Sequence, residues 1–279
     1  MLKKFLKKNG LRDCFSMKDL FRKLKKISNL PWLFAQPLTK IPKKLGDPIS
    51  ELFIWRNSFD CVTFFELIDL ASFFEEKTKH REVLLIFFNA DGSEFHREKI
   101  KISCNTRNII NLSEYVSKSK DSIGTFCVFH ETPDIVKQLG SYITDRGYIS
   151  YQYKNAPIRS YAHGNLDAVS YSNNQKLIML GGKSFFKREY QLQYDLSKYN
   201  YDLVLLNPTD CKQDVLISFF KTNNSDLIST QSVRLRPREV SVFSVKGISG
   251  QRAVITSNLV MARPIVFKYN KKHMSVFHG

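Results

Sequence analysis

Arg146-Gly147-Tyr148-Ile149-Ser150-Tyr151-Gln152-Tyr153 has the outline of a β-strand, and nearly the same outline returns as Arg263-Pro264-Ile265-Val266-Phe267-Lys268-Tyr269 near the end of the chain. In both, aromatic and β-branched residues are dense, as a pleated, half-buried surface favours. Each run is followed by Ser-x-x-His-Gly, at Ser160 to His163-Gly164 and at Ser275 to His278-Gly279. Upstream, Leu67-Ile68-Asp69-Leu70 and then Leu85-Ile86-Phe87-Phe88-Asn89 match Gln193-Tyr194-Asp195-Leu196 and then Leu203-Val204-Leu205-Leu206-Asn207. From the Asn to the His is 74 residues in one copy and 71 in the other. Landmarks in fixed order at near-constant offset predict an internal duplication.

The remaining text fits that frame. Val83-Leu84-Leu85-Ile86-Phe87-Phe88 runs into Asn89-Ala90-Asp91-Gly92, a strand entering a tight turn. Short apolar runs recur at 123–129, 215–220, 240–245 and 253–256. Many short strands at this spacing predict a mainly β chain of two tandem Ig-like antiparallel β-sandwiches. The expected boundaries are 1–48 for a leader and connector, 49–164 for the first sandwich, 165–182 for a linker or hairpin, and 183–279 for the second. A chain of 279 residues suits two domains of ordinary size.

The leader differs in composition. Residues 1–44 hold 13 Lys or Arg against Asp13 and Asp19, a net of +11, whereas the remainder nets +6. Ser16 is placed to cap a helix in which Met17, Leu20, Phe21, Leu24 and Ile27 share one face. Lys18, Arg22, Lys23, Lys25 and Lys26 fill the rest of the circumference. A basic amphipathic helix of this kind suits an anionic membrane surface or a groove on a partner protein. Nucleic-acid binding, through phosphate neutralisation, is the less favoured third use. The expected location is cytoplasmic and peripheral to a membrane, with an organellar presequence as the competing explanation of a basic, acid-poor start.

Five widely spaced cysteines, Cys14, Cys61, Cys104, Cys127 and Cys211, fit neither a zinc cluster nor a dense disulfide scaffold. Free thiols are the expectation. The histidines form no ligand pair at metal-binding spacing, so no metal and no cofactor are expected. Gly181-Gly182-Lys183-Ser184 lacks the earlier glycine of a phosphate loop, because position 177 is Leu. No run reaches the roughly 20 apolar residues that cross a bilayer. The best, 59–74, is interrupted by Asp60, Glu66 and Asp69.

The second copy resembles a known family. Leu205-Leu206-Asn207-Pro208-Thr209-Asp210, the Leu235-Arg236-Pro237 turn, and Ser257-Asn258-Leu259-Val260 ahead of Arg263-Pro264-Ile265-Val266 are similar to small β-sandwich domains of the sensory-rhodopsin-transducer type. The resemblance covers some 65 residues. It implies a sandwich that binds or docks rather than catalyses.

Ten of the twelve tyrosines fall between positions 142 and 201. Tyrosine joins an apolar ring to a polar tip and suits recognition surfaces. Arg146, Tyr148, Tyr151, Tyr153, Arg159, Tyr161, His163 and Asn165 are therefore candidate ligand-binding residues. His278 joins them as the repeat counterpart of His163. The competing explanation is that alternate tyrosines pack between the domains. No catalytic residue is assigned. The expected function is a binding or scaffold protein that recognises a protein partner or a glycan, with homo-oligomerisation open. The rival is an enzyme of surface-polysaccharide metabolism with its site in 148–165.

Overall fold

The computed structural model describes residues 47–58, 60–73, 80–142, 144–145, 147–154, 156–172, 175–194, 198–221, 226–245, 252–259 and 263–278. The leader lies outside the described residues, including Lys18, Leu20, Phe21, Arg22, Lys23, Leu24, Lys25 and Lys26. So does Arg146. Among the described residues no helix is long and apolar enough to cross a membrane.

The chain is mainly β. The first half begins with β1 (Ile49–Arg56), β2 (Cys61–Ile68), β3 (His80–Asn89), β4 (Glu94–Ser103), β5 (Arg107–Asn111) and β6 (Ile123–His130), with helix α1 (Ser113–Val116) before β6. Helix α2 (Asp134–Gln138), β7 (Thr144–Asp145), β8 (Tyr148–Tyr153), β9 (Ser160–Ala162), β10 (Asn165–Tyr171) and β11 (Leu177–Met179) follow. The second half holds β12 (Lys183–Gln193), β13 (Asn200–Leu206), β14 (Gln213–Phe220) and β15 (Leu227–Leu235). It ends with β16 (Val240–Ser244), β17 (Arg252–Leu259), β18 (Ile265–Tyr269) and β19 (Met274–His278).

These strands make four sheets. In the first half the orders are β11-β10-β1-β6-β3-β4, with β7 beside β1, and β5-β2-β8-β9. In the second they are β12-β17-β14-β15 and β16-β13-β18-β19. Matched strand for strand, β1-β6-β3-β4 has the order of β12-β17-β14-β15, and β5-β2-β8-β9 that of β16-β13-β18-β19. The predicted linker 165–182 supplies β10 and β11, which extend the first large sheet.

The match uses different landmarks from those in the sequence. β8 and β18 are counterparts, as are β9 and β19, so the two late motifs sit in corresponding strands. The early ones do not. The counterpart of β13 is β2, whereas Leu85 and Asn89 belong to β3. Asn89 closes a hairpin into β4, with Gly92 N donating to its carbonyl at 3.0 Å. Asn207 instead ends β13 before the chain crosses to the other sheet, and its Nδ2 donates to the carbonyls of Cys211, Leu235 and Arg236. An Asn after an apolar strand marks a turn but does not say which sheet the chain enters next.

Burial explains how the halves join. Seven of the eight residues of β1 are buried, so both of its faces are covered. One face carries Phe53, whose ring lies 4.8 Å from Phe65 of β2 and 5.2 Å from Phe126 of β6. The other carries Ile54 and Arg56, and it receives the second half. The Arg56 guanidinium lies 4.7 Å over the Phe267 ring, and it pairs with Asp202 at 2.8 Å. Arg238 lies over Phe88, and Val240 N donates to the Ala90 carbonyl at 2.9 Å. Val204, Leu206, Val240, Ile265, Phe267 and Val276 thus belong to the first core, while Tyr201, Leu203, Leu205 and Val266 face the second. The central strands β13 and β18 of the sheet β16-β13-β18-β19 are thus covered on both sides.

Candidate functional site: the outer face of the β5-β2-β8-β9 sheet

Among the described residues, the corresponding sheet of the first half is covered on one side only. Strand alternation turns Phe65, Leu67, Ile149 and Tyr151 into the core, where all four are buried. It turns Phe64, Glu66 and Ile68 of β2 outward. Ladder pairing places Ile109 and Tyr148 on either side of Glu66. It places Tyr161 beside Ser150. This face leaves large apolar groups in water: Ile109 is 52% exposed, Tyr148 51%, Ile68 46% and Tyr161 46%. Ile158, in the loop between β8 and β9, is 82% exposed. Together they form an exposed apolar group on and beside one sheet face.

At its centre Glu66 is only 7% exposed. The Tyr161 hydroxyl donates to Oε1 at 3.0 Å, and the Ser150 hydroxyl approaches at 3.5 Å. Arg107 forms an ion pair with Oε2, and Arg159 lies 3.6 Å from Oε1. A carboxylate taken out of water needs such partners to satisfy its oxygens. Arg159 also stacks 3.7 Å over the Phe64 ring, which fixes its plane. The exposed charge on this face is therefore positive, because the acid is covered and Arg107 is more than half exposed.

The sequence candidates divide. Tyr148, Arg159 and Tyr161 meet on this face. His163 is exposed beside them, its ring 5.3 Å from that of Tyr148 and 6.0 Å from that of His278. His278 is half-buried opposite Ile265. Burial, then the positive charges of Arg263 and His163, lower its pKa to about 4, while a hydrogen bond to the His163 backbone works the other way. Tyr151 is not on the face. It is wholly buried, its hydroxyl donating to the Ile54 carbonyl at 2.7 Å and its ring 4.8 Å from Phe267. Burial holds its phenol well above the usual tyrosine pKa. Tyr153 packs 6.4 Å from Tyr269, its ring under Lys154. Asn165 is buried in β10 opposite Leu52. Packing between the halves therefore accounts for Tyr151 and Tyr153.

Glu66, Arg107 and Arg263 were missed. The signal for Glu66 lies in Thr63-Phe64-Phe65-Glu66-Leu67-Ile68, an acid within an apolar strand, which in sequence is indistinguishable from a charge that interrupts a spanning segment. Cys61 and Cys127 are free and buried, and burial pushes the Cys61 thiol up to about 12. Cys104 and Cys211 are half-buried. Among the described residues no group of three or more His, Cys, Asp or Glu could hold a metal. Comparison of the chain with family models and with curated proteins returns no match.

Proposed function

We propose that the protein is a non-catalytic recognition module that binds a partner protein on the outer face of the β5-β2-β8-β9 sheet. One observation carries this. The same face of the matching sheet, with Asp202, Val204, Ile265 and Phe267, is buried against the first half, whereas here it stands open with its apolar groups exposed. Exposed isoleucines favour a protein surface over a glycan, and Arg107 and Arg159 favour an acidic one. The rival enzyme reading needs carboxylates beside His163, but Glu66 is engaged by Tyr161 and two arginines. We further read the shared strand order as the trace of a duplicated Ig-like sandwich. The basic leader would hold the module at an anionic membrane on the cytoplasmic side.

Replacing Tyr148 by p-benzoylphenylalanine in the cells that make the protein tests the face. Irradiation should give a discrete protein adduct that Ile109→Asp abolishes, while the same probe at Thr230 of β15 gives none. Equal adducts at both positions would contradict the proposal. A diffuse, glycosidase-sensitive product would return the reading to a glycan. Co-sedimentation with anionic and neutral vesicles, with and without residues 1–30, tests the leader. Binding should need both the leader and the anionic lipid, and Ser at Leu20, Phe21 and Leu24 should abolish it.

A further inference from the structure

At the edge of the open face, the two halves meet along β9 and β19. The Ser160 hydroxyl accepts from Val276 N at 2.7 Å and lies 3.5 Å from the Val276 carbonyl. Just beyond this contact, basic groups from both halves converge. His163 comes from the first half, and His278 and Arg263 come from the second. The His163 ring lies between those of Tyr148 and His278. Arg263 is exposed two residues before Ile265, the ladder partner of His278. None of the ion pairs among the described residues uses Arg263. Among the described residues two carboxylates adjoin this cluster. Glu66, the ladder neighbour of Tyr148, is engaged by Tyr161, Arg107 and Arg159. The other is Glu51, which is buried and accepts from Gly164 N at 2.9 Å.

An arginine that pairs with no carboxylate among the described residues, and that bears on the charge of His278, is a place where an anion gains charge-assisted hydrogen bonds. Tyr148 belongs both to this cluster and to the sheet face, so a ligand on the face reaches the seam without leaving the surface. We propose that Tyr148, His163, Arg263 and His278 seat a carboxylate, from an Asp or Glu side chain of the protein that docks on the adjoining face. This rests on the reading of that face as a protein-binding surface. Among the described residues, burial and then the charges of Arg263 and His163 disfavour protonation of His278, while the hydrogen bond to the His163 backbone favours it. A bound carboxylate reverses that balance, so the anion and the His278 proton bind together.

The test uses the full chain and a hexaglutamate peptide, with histidine Cε1 proton resonances followed by NMR from pH 3.5 to 8 and His278 assigned from the His278→Gln spectrum. The basic leader attracts any polyanion, so the local titration is the readout. Hexaglutamate should raise the His278 midpoint by about one pH unit. Arg263→Ala should lower the affinity for the peptide, read at this resonance, at least tenfold. An unchanged midpoint, or the same shift with hexaglutamine or in Arg263→Ala, would overturn the site. A shift produced by oligogalacturonate and not by hexaglutamate would overturn the protein source. If Ile109→Asp abolishes the Tyr148 adduct while the peptide leaves His278 unmoved, the face stands and the seat falls.

Discussion

Asp202 and Glu66 show how a charge is kept inside this protein, and how the same device serves two ends. Asp202 is buried and held by Arg56 at 2.8 Å and by the Ser244 hydroxyl at 2.6 Å, which ties one half of the chain to the other. Removing one member of a buried pair leaves the other uncompensated, so Asp202→Ala should cost about 3 kcal/mol in denaturant unfolding. Asp69 and Arg81 form a second buried pair, at 3.0 Å, and Asp69→Ala should cost a similar ~3 kcal/mol. His278 gives a pH dependence with a definite sign. Its pKa of about 4 in the folded state lies below the ordinary 6.5, so the unfolded chain binds the extra proton between these values. The contribution of His278 to stability is therefore full above pH 6.5 and is lost as the pH drops from 6.5 to 4, about 2 kcal/mol once partial solvent contact is allowed for. Denaturation curves at pH 7.5 and 4.5 should show the loss, and His278→Gln should reduce it.

At the scale of the element, close packing decides which substitutions the sheets accept. Gly124 in β6 lies under Trp55, whose Nε1 donates to the carbonyls of Phe88 and Thr125, both at 3.2 Å. A Cβ there would stand 2.2 Å from the Phe88 carbonyl oxygen and 2.5 Å from the indole. The obstruction is backbone, so Gly124→Ala should destabilise by about 2 kcal/mol or more, read from the denaturation midpoint. Tyr151→Phe deletes the hydroxyl that donates to the Ile54 carbonyl inside the core, and about 1–2 kcal/mol should go with it. The strands themselves were legible. Alternation in 148–153 and 265–269 marked β8 and β18, and the tyrosine-rich text singled out Tyr148 and Tyr161, which share the outer face of one sheet. What alternation left open was which face looks outward. Tyr148 and Tyr151 differ by an odd number of positions and so point opposite ways, one to solvent and one into the core. The pairing of Asn89 with Asn207 failed for a related reason. Turn chemistry is local, and a hairpin and a crossover begin with the same residues.

Across the whole molecule, the two halves repeat a strand order but not an environment. The sequence suggested sandwiches each sealed by its own core. Instead β13 and β18 present one face to each core, with Leu203 and Val266 turned to the second and Val204 and Ile265 to the first. No pattern within β13 could show this, because a strand buried on both faces reads simply as continuous apolar text. The open face of β5-β2-β8-β9 follows from the same arrangement. It is the counterpart of a face consumed in joining the halves, and Glu66 among apolar neighbours is its trace in the sequence. If the first core is completed by the second half, neither half opens alone. Hydrogen exchange across a denaturant series, read by mass spectrometry on peptides from β6 and β18, measures this directly. The account predicts one opening free energy and one denaturant slope for both. Exchange of β18 at a distinctly lower free energy, with β6 still protected, would contradict it.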